Sequence, residues 1–188
     1  METDAKTLII LRHAKSSWAS PGVSDFDRPL NARGFRQLEV LRPWFEAHVS
    51  QSTDDCAILC SPAQRTRDTW GGIEPAFSGK TPKFEAALYN GSLDDYFQAI
   101  WAVDDSVNTL VVIGHNPTCD ELSRNLAAPS SPASAKLMQQ HFGTACLAQL
   151  IVPRTKWSEL RQSENTLSAF VRPADLQAEP AAPAAPAA

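Results

Sequence analysis

The chain has 188 residues, of which 43% are hydrophobic and 20% are charged, and its formal net charge is −4. This length allows one domain with a sizeable core, and the acidic balance argues against broad nucleic-acid binding, which normally needs a basic face. No apolar run approaches membrane-spanning length, and the first six residues lack a signal-peptide pattern. We therefore expect a cytoplasmic monomer that binds neither membrane nor nucleic acid.

Short apolar runs alternate with amphipathic segments along the chain. Strands are predicted at residues 7–11, 57–60, 83–87, 109–113, 146–152 and 166–171, the last at an edge of the sheet. Helices are predicted over residues 32–48, 62–72, 93–103 and 120–126. Strands alternating with helices predict an α/β fold, a single three-layer domain with a mostly parallel central sheet and helices on both faces.

Several helix ends carry recognisable signals. Asn31 is a predicted N-cap, as are Ser61, with Pro62 at the first helical position, and Thr118. Pro43 lies inside the first predicted helix and removes a backbone donor, so we expect it to kink or split that helix.

Composition changes near the C-terminus. From Pro173 onward the chain is mostly alanine and proline, which cannot bury enough apolar surface to offset the entropy of ordering. We therefore expect residues 1–172 to form the domain and residues 173–188 to be a disordered tail. The four cysteines form no CxxC pair and are expected to be reduced.

Cationic and imidazole side chains follow three of the predicted strands. Arg12 and His13 come directly after the first strand, Arg65 follows the second by a few residues, and His115 follows the strand at 109–113. Ligands of open α/β sheets bind outside the carboxyl ends of the strands. Two guanidinium groups and two imidazoles gathered there predict a pocket for a small dense anion, and phosphate is the obvious candidate.

These residue types suit phosphoryl transfer, in which catalysis is chiefly positioning and electrostatic stabilisation. Arg12 and Arg65 can each donate two parallel hydrogen bonds and keep their charge. No serine, cysteine or aspartate occupies a convincing nucleophile setting, whereas a neutral, oriented histidine can serve as one. We predict that His13 is the nucleophile, that His115 stabilises the transition state, and that water hydrolyses the phosphohistidine intermediate.

Other phosphatase chemistries fit less well. A cysteine-based phosphatase needs five residues between its cysteine and arginine, but four separate Cys60 from Arg65. The Asp25-Phe26-Asp27 segment follows a Pro/Gly loop instead of the strand expected in an aspartyl phosphatase. There is no GxxxxGK[ST] segment, and neither site histidine has ligands at metal spacing, so no cofactor or metal is expected. A catalytically silent module that binds phosphoproteins stays open as an alternative.

Four ordered motifs together resemble the histidine phosphatase superfamily. They lie at residues 11–18, 25–34, 61–66 and 114–117, and the second is close to the pattern of the small SixA-like phosphohistidine phosphatases. The resemblance covers residues 7–172. It implies that His13 is the phosphorylated nucleophile, that Arg12, Arg65 and His115 form the phosphate pocket, and that the compact domain lacks large capping insertions.

The chain departs from the family pattern in two respects. Ala14 replaces the usual glycine after the nucleophile, and we expect activity to survive because alanine is the mildest change. Larger relatives supply a carboxylic acid to the leaving oxygen; Glu85 is the candidate here, and an exposed strand-end glutamate is an equal alternative. A strong acid is unnecessary if the leaving imidazole of a phosphoramidate is already protonated.

The preferred substrate is accordingly phosphohistidine on a protein, since an uncapped site can admit a side chain displayed on a surface. The alternative is a small phosphate monoester. The charged cluster of Asp25, Asp27 and Arg28 is interpreted as a local ion-pair network, with orientation of Arg12 or contact with a partner as its functional alternative.

Overall fold

A six-stranded sheet forms the centre of the protein in a computed structural model that describes residues 5–18, 21–49, 55–77 and 79–178. Its strands are β1 (Lys6–Arg12), β2 (Cys56–Cys60), β3 (Lys83–Phe84), β4 (Thr109–Gly114), β5 (Leu147–Val152) and β6 (Thr166–Val171). The order across the sheet is β3-β2-β4-β1-β5-β6. Strands β1 to β4 are mutually parallel, and β5 runs antiparallel to both of its neighbours. The predicted mostly parallel sheet is confirmed.

Helices cover both faces of this sheet. They are α1 (Ala32–His48), α2 (Gln64–Ile73), α3 (Leu93–Trp101), α4 (Thr118–Leu126), α5 (Pro132–Gln139) and α6 (Pro173–Ala178). Buried side chains of α1 and α2 share one core with Ile9 and Leu11 of β1, and those of α3, α4 and α5 share the other with Leu8 and Ile10. The alternation of β1 side chains between the two cores follows from the two-residue period of a strand, and the three-layer prediction is confirmed.

Helix α1 begins as predicted and continues past its proline. The Asn31 side chain accepts a hydrogen bond from the Gly34 backbone N–H at 3.0 Å, which caps the helix. Pro43 lies inside the single helix, so the expected split is wrong. Pro43 and Glu39, whose carbonyl loses its helical donor, are both exposed, and water can satisfy that carbonyl.

Two other predicted caps are wrong. Helix α2 begins at Gln64 with Ala63 at its N-cap, and Ser61 lies three residues before the helix. Helix α4 begins at Thr118 itself, and the Thr118 hydroxyl donates to the Gly91 carbonyl at 2.8 Å. In both cases a tertiary hydrogen bond engages the hydroxyl that sequence analysis assigned to a local cap.

Helix α5 was missing from the predicted elements. Ser131 caps it by accepting from the Ser134 backbone N–H at 3.0 Å, and Pro132 occupies its first turn. The Ser-Pro pair is a recognised start signal, but the alanine, serine and proline residues around it are typical of a loop.

The first six residues of the expected disordered tail form α6. Asp175 pairs with Arg172 at 2.5 Å and with Lys136 at 2.8 Å, and Leu176 packs against the core under α1. The boundary at residue 172 is therefore wrong, because these contacts order the chain as far as Ala178. For residues 179–188, which lie outside the described residues, disorder stays a prediction.

Within the described part of the chain, no helix combines the length and apolar character required to cross a bilayer. All four cysteines are buried and free.

Candidate active site

The two site histidines lie side by side at the carboxyl edge of the sheet. Arg12 is paired with Gly114 in the parallel register of β1 and β4, so His13 and His115 follow at equivalent positions. The His13 backbone N–H donates to the Gly114 carbonyl at 3.0 Å. The two rings lie with their centroids 5.1 Å apart, close enough to contact one small ligand.

A backbone carbonyl orients the His13 ring. Nδ1 lies 2.7 Å from the carbonyl oxygen of Ala14. Since a carbonyl only accepts, Nδ1 carries the proton and Nε2 has the free lone pair. Burial and, to a smaller extent, the charges of Arg65 and Arg12 together lower the pKa of His13 to about 3, although the hydrogen bond to Ala14 acts to raise it. The imidazole is therefore neutral, as a nucleophile requires.

His115 is held from two directions. Its Nε2 lies 2.8 Å from the Ser61 hydroxyl, and its backbone N–H donates to the Tyr96 hydroxyl at 3.1 Å. The Tyr96 hydroxyl in turn donates to the Leu88 carbonyl at 2.9 Å. Burial lowers the pKa of His115 to about 3, aided by His13. Nδ1 is buried and has no hydrogen-bond partner among the described residues.

Backbone and carboxylate oxygens fix the two guanidinium groups. Arg12 Nη1 donates to the Phe142 carbonyl at 3.0 Å. Arg65 Nη1 donates to the Asp25 carbonyl at 2.7 Å, and its Nη2 lies 3.2 Å from the Asp25 carboxylate. Both Nε atoms are buried and lack a partner among the residues that the structure describes. Each arginine thus keeps a donor available to a ligand.

Asp25 connects Arg65 to two further residues. Its Oδ1 pairs with Arg28 Nη2 at 2.9 Å, and its Oδ2 accepts from the Tyr89 hydroxyl at 3.0 Å. Desolvation works to raise the pKa of Asp25, but the Tyr89 hydrogen bond and the charges of Arg65 and Arg28 outweigh it and lower the pKa. The carboxylate is therefore ionised. The Tyr89 ring also lies 5.7 Å from the His115 ring, between centroids. The structure connects the Asp25–Arg28 pair to Arg65, whereas the functional alternative from sequence had been Arg12.

The Glu85 side chain does not contact the histidines and arginines that meet at the carboxyl edge of the sheet. Its carboxylate pairs with Lys83 at 3.2 Å, and its backbone N–H donates to the Cys60 carbonyl at 2.9 Å. It follows β3, which β2 and β4 separate from β1. No described contact links Glu85 to Arg12, His13, Arg65 or His115.

The remaining departure concerns the position after His13. Ala14 is fully buried, its backbone N–H donates to the Thr69 hydroxyl at 2.9 Å, and its φ is not positive. A methyl group is compatible with this conformation, so glycine is not required there.

Sequence analysis missed three residues whose side chains contact the site histidines and arginines, which are Ser61, Tyr89 and Tyr96. Ser61 directly follows β2, just as His13 and His115 follow β1 and β4, and that shared position could have indicated it. Tyr89 follows a short 3-10 turn, Ala86–Leu88, and no pattern in the chain marks it. Among the described residues, no cluster of three or more histidine, cysteine, aspartate or glutamate side chains could hold a metal ion.

Comparison with known proteins identifies the family. Residues 8–96 match the model of the histidine phosphatase superfamily, branch 1. An uncharacterized protein of Mycobacterium tuberculosis is 36% identical over 147 residues, which cover 76% of this chain and 87% of that protein.

Two solved structures of candidate SixA phosphohistidine phosphatases are also similar. One, from Nakamurella multipartitia, is 30% identical with a TM-score of 0.76, covering 90% of this chain and 96% of that one. The other, from Agrobacterium tumefaciens, is 28% identical with a TM-score of 0.67, covering 89% and 97%. The chain belongs to the histidine phosphatase superfamily and is SixA-like, and this membership supports a phosphatase hydrolase.

Proposed function

We propose that this protein hydrolyses phosphohistidine on another protein through a covalent phosphohistidine intermediate at His13. The observation that carries the proposal is that three buried ring or guanidinium nitrogens at this edge of the sheet, Arg12 Nε, Arg65 Nε and His115 Nδ1, have no hydrogen-bond partner among the described residues. A buried donor left unpaired costs about 1–3 kcal/mol, so such donors mark a ligand site. Phosphoryl oxygens would satisfy all three, beside the free Nε2 of His13.

In the first step His13 Nε2 attacks phosphorus and forms a P–N bond while the bond to the substrate imidazole breaks. If the substrate ring carries a proton on its other nitrogen, it leaves as a neutral imidazole. The phosphorylated His13 keeps its Nδ1 proton, which the Ala14 carbonyl accepts, and the ring is cationic. In the second step water attacks phosphorus, inorganic phosphate leaves as the monoanion that retains both water protons, and neutral His13 is regenerated.

The surrounding side chains stabilise the charge on the transferred group. Arg12 and Arg65 clamp the equatorial oxygens, and their fixed charges remove the need for a metal. A Ser61 hydroxyl that donates to His115 Nε2 places the single proton of that neutral ring on Nδ1, where it can donate to a phosphoryl oxygen. Asp25 holds the Arg65 guanidinium in the required orientation.

The leaving group separates this proposal from a phosphomonoesterase of small metabolites. An alkoxide needs a proton from an acid such as Glu85, whereas a protonated imidazole leaves without one. The Glu85 carboxylate pairs with Lys83 and has no described contact with either histidine, which supports the phosphohistidine substrate. We propose that Glu85 acts as a proton donor only towards phosphate esters.

The test measures hydrolysis of a phosphohistidine-bearing protein domain and of sugar phosphates, with His13→Asn and the exposed His48→Asn as a matched pair. We expect the domain to be the faster substrate, activity to be lost only in His13→Asn, and radiolabelled phosphate to be trapped on the wild-type protein as an acid-labile adduct. Equal or faster hydrolysis of the sugar phosphates would contradict the protein substrate. A folded, phosphate-binding protein without turnover would instead indicate a silent binding module.

A further inference from the structure

A second basic pocket lies beside the candidate active site. It has a volume of about 540 Å³, within the usual range for ligand pockets. Among the described residues, no acidic side chain lines it. Its polar lining includes Arg33, Arg36, Gln37, His141, Thr144 and Arg172.

This pocket shares a wall with the phosphate-binding residues. Within the segment 141–146, the Phe142 carbonyl accepts from Arg12, while His141, Gly143, Thr144 and Cys146 line the pocket. The Ala145 backbone N–H, in a left-handed conformation with φ 57°, bonds to the carbonyls of Arg12 at 3.2 Å and His13 at 3.1 Å. The pocket and the candidate active site therefore share the segment 141–146 as a common wall.

Gln37 and Gly34 hold α1 tightly against this wall. The Gln37 amide donates to the Thr144 carbonyl at 3.1 Å and accepts from the Lys15 backbone N–H at 2.9 Å. A Cβ on Gly34 would lie 2.2 Å from the Lys15 carbonyl oxygen. This close approach holds the start of α1 against Lys15, which follows His13 by two residues.

Two arginines near the N-terminus of α1 supply free positive charge to the pocket. Arg33 and Arg36 are exposed, and neither forms an ion pair with another described residue. The positive end of a helix dipole favours anions and disfavours cations. The first turn of α1 nevertheless contains no acidic residue that would offset the charge of the two arginines. Arg172 differs, because Asp175 neutralises it. In a chain of net charge −4, this local excess of cations favours an anionic ligand.

Exposed aromatic side chains on the same edge indicate that the ligand belongs to a protein. Phe35 lies between the two arginines in α1 and is 49% exposed. Trp18, 82% exposed, lies under the Arg28 guanidinium, and the ring of Phe26, 37% exposed, packs edge-on against Tyr89. Arginine and aromatic residues are enriched in protein interfaces. A small metabolite bound at His13 would be too small to contact all of these exposed side chains.

We propose that the pocket at Arg33, Arg36 and His141 binds carboxylate side chains that flank the phosphohistidine of a protein substrate. The inference rests on the proposed function and specifies which phosphoproteins the site accepts. Carboxylates suit the pocket because each guanidinium can hold one by two parallel hydrogen bonds.

The test uses two synthetic phosphohistidine peptides, one with glutamates flanking the phosphohistidine and one with glutamines in their place. Wild-type protein is compared with Arg33→Gln/Arg36→Gln and with the control Arg42→Gln/Arg154→Gln, which removes the same charge from arginines outside the pocket. We expect kcat/KM in the wild type and the control to be about tenfold higher for the glutamate peptide, as two partly exposed ion pairs allow. The ratio should approach one in the pocket variant and fall with added salt in the wild type.

The other outcomes separate the two proposals. Equal rates on both peptides in the wild type would overturn the role of the pocket and leave the proposed function standing. Hydrolysis of p-nitrophenyl phosphate but of neither peptide would overturn the proposed function. If the pocket variant lowers kcat/KM for fructose 1,6-bisphosphate relative to fructose 6-phosphate and leaves the peptide ratio unchanged, the pocket binds a second phosphate and the carboxylate assignment is wrong. Should the glutamine variant fail to fold, Arg33→Lys/Arg36→Lys should keep a reduced preference for the glutamate peptide, and an unaltered preference would contradict the bidentate contact.

Discussion

The Ser61 hydroxyl and Nε2 of His115 lie 2.8 Å apart, although 54 positions separate the two residues in the chain. Both residues follow parallel neighbouring strands, β2 and β4, directly after their last residues. The hydroxyl has no role in capping α2, and it is completely buried. Its contact with His115 therefore determines which ring nitrogen can face a phosphoryl group.

Replacing Ser61 with alanine should impair catalysis more than stability. The variant leaves His115 Nε2 without its partner and allows the ring to change tautomer, so we expect kcat to fall by about 10- to 100-fold. The loss of one hydrogen bond should lower the free energy of unfolding by about 1 kcal/mol. Steady-state kinetics and urea unfolding measure the two effects. Ser168→Ala, which removes an exposed hydroxyl on β6, serves as the control, and an equal fall of kcat in that variant would contradict the assignment.

The Asp25→Asn substitution tests the orientation of Arg65. The amide keeps the shape of the side chain but removes the charge that pairs with Arg65 and Arg28, so we expect kcat/KM to fall by about tenfold with little change in fold. The neighbouring Asp27→Asn is a matched control, because Asp27 contacts Ser24 and neither arginine. Indistinguishable kinetics for the two variants would show that the Asp25 carboxylate does not position Arg65.

The buried histidines predict a specific dependence of stability on pH. Both have a folded-state pKa lowered to about 3 from 6.5, so between these values the unfolded chain binds more protons than the folded one. Their contribution is complete above pH 6.5, and stability is lost as the pH falls towards 3. Each histidine contributes at most about 1.4 kcal/mol per pH unit to this slope.

Urea unfolding of wild type, His13→Asn and His115→Asn at pH 7.0, 5.5 and 4.5 measures this effect. We expect a shallower slope in each variant than in the wild type, whereas the exposed His48→Asn should retain the full slope. Parallel curves for all four proteins would contradict the lowered pKa values.

Two glycines should respond oppositely to alanine. A Cβ on Gly114 would lie 2.2 Å from the Tyr96 hydroxyl, the group that accepts from the His115 backbone, so Gly114→Ala should lower both stability and activity. A Cβ on Gly71 in α2 meets nothing within 4 Å, and Gly71→Ala should raise the free energy of unfolding by about 0.5–1 kcal/mol. Thermal melts and kinetics of the two variants measure the difference. An unchanged melting temperature and kcat in Gly114→Ala would show that Tyr96 does not position His115.

Local patterns in the chain were sufficient for five of the six strands and for the edge where the site lies. The third strand was predicted over residues 83–87 but ends at Phe84. The apolar run before Arg12 and the all-apolar run before His115 are typical of buried parallel strands, and both strands form within one residue of the predicted bounds at each end. The Asn31 cap also formed as predicted, because a side-chain bond to a backbone N–H three residues away depends only on neighbours in sequence.

Predictions that required knowledge of distant partners were less successful. Ser61 and Thr118 carry the residue type of an N-cap, yet each hydroxyl bonds to a group more than 25 positions away. Pro43 did not split α1, since the exposure of the surrounding backbone lets water replace the lost donor. Helix α6 formed because Asp175 pairs with Lys136, 39 positions earlier in the chain. Amino-acid composition does not predict an ion pair between such distant residues.

By itself, the sequence determined which residue types emerge at one edge of the sheet, since the two-residue period of strands and the direction of parallel strands are local properties. The tertiary structure alone decided that Nδ1 of His115 has no partner among the described residues, that Asp25 holds Arg65, and that Arg33 and Arg36 line a pocket that shares the segment 141–146 with the candidate active site. These features depend on burial and on contacts between segments distant in the chain. Burial sets the pKa values and the free energy of each unpaired donor, and neither can be read from neighbouring residues.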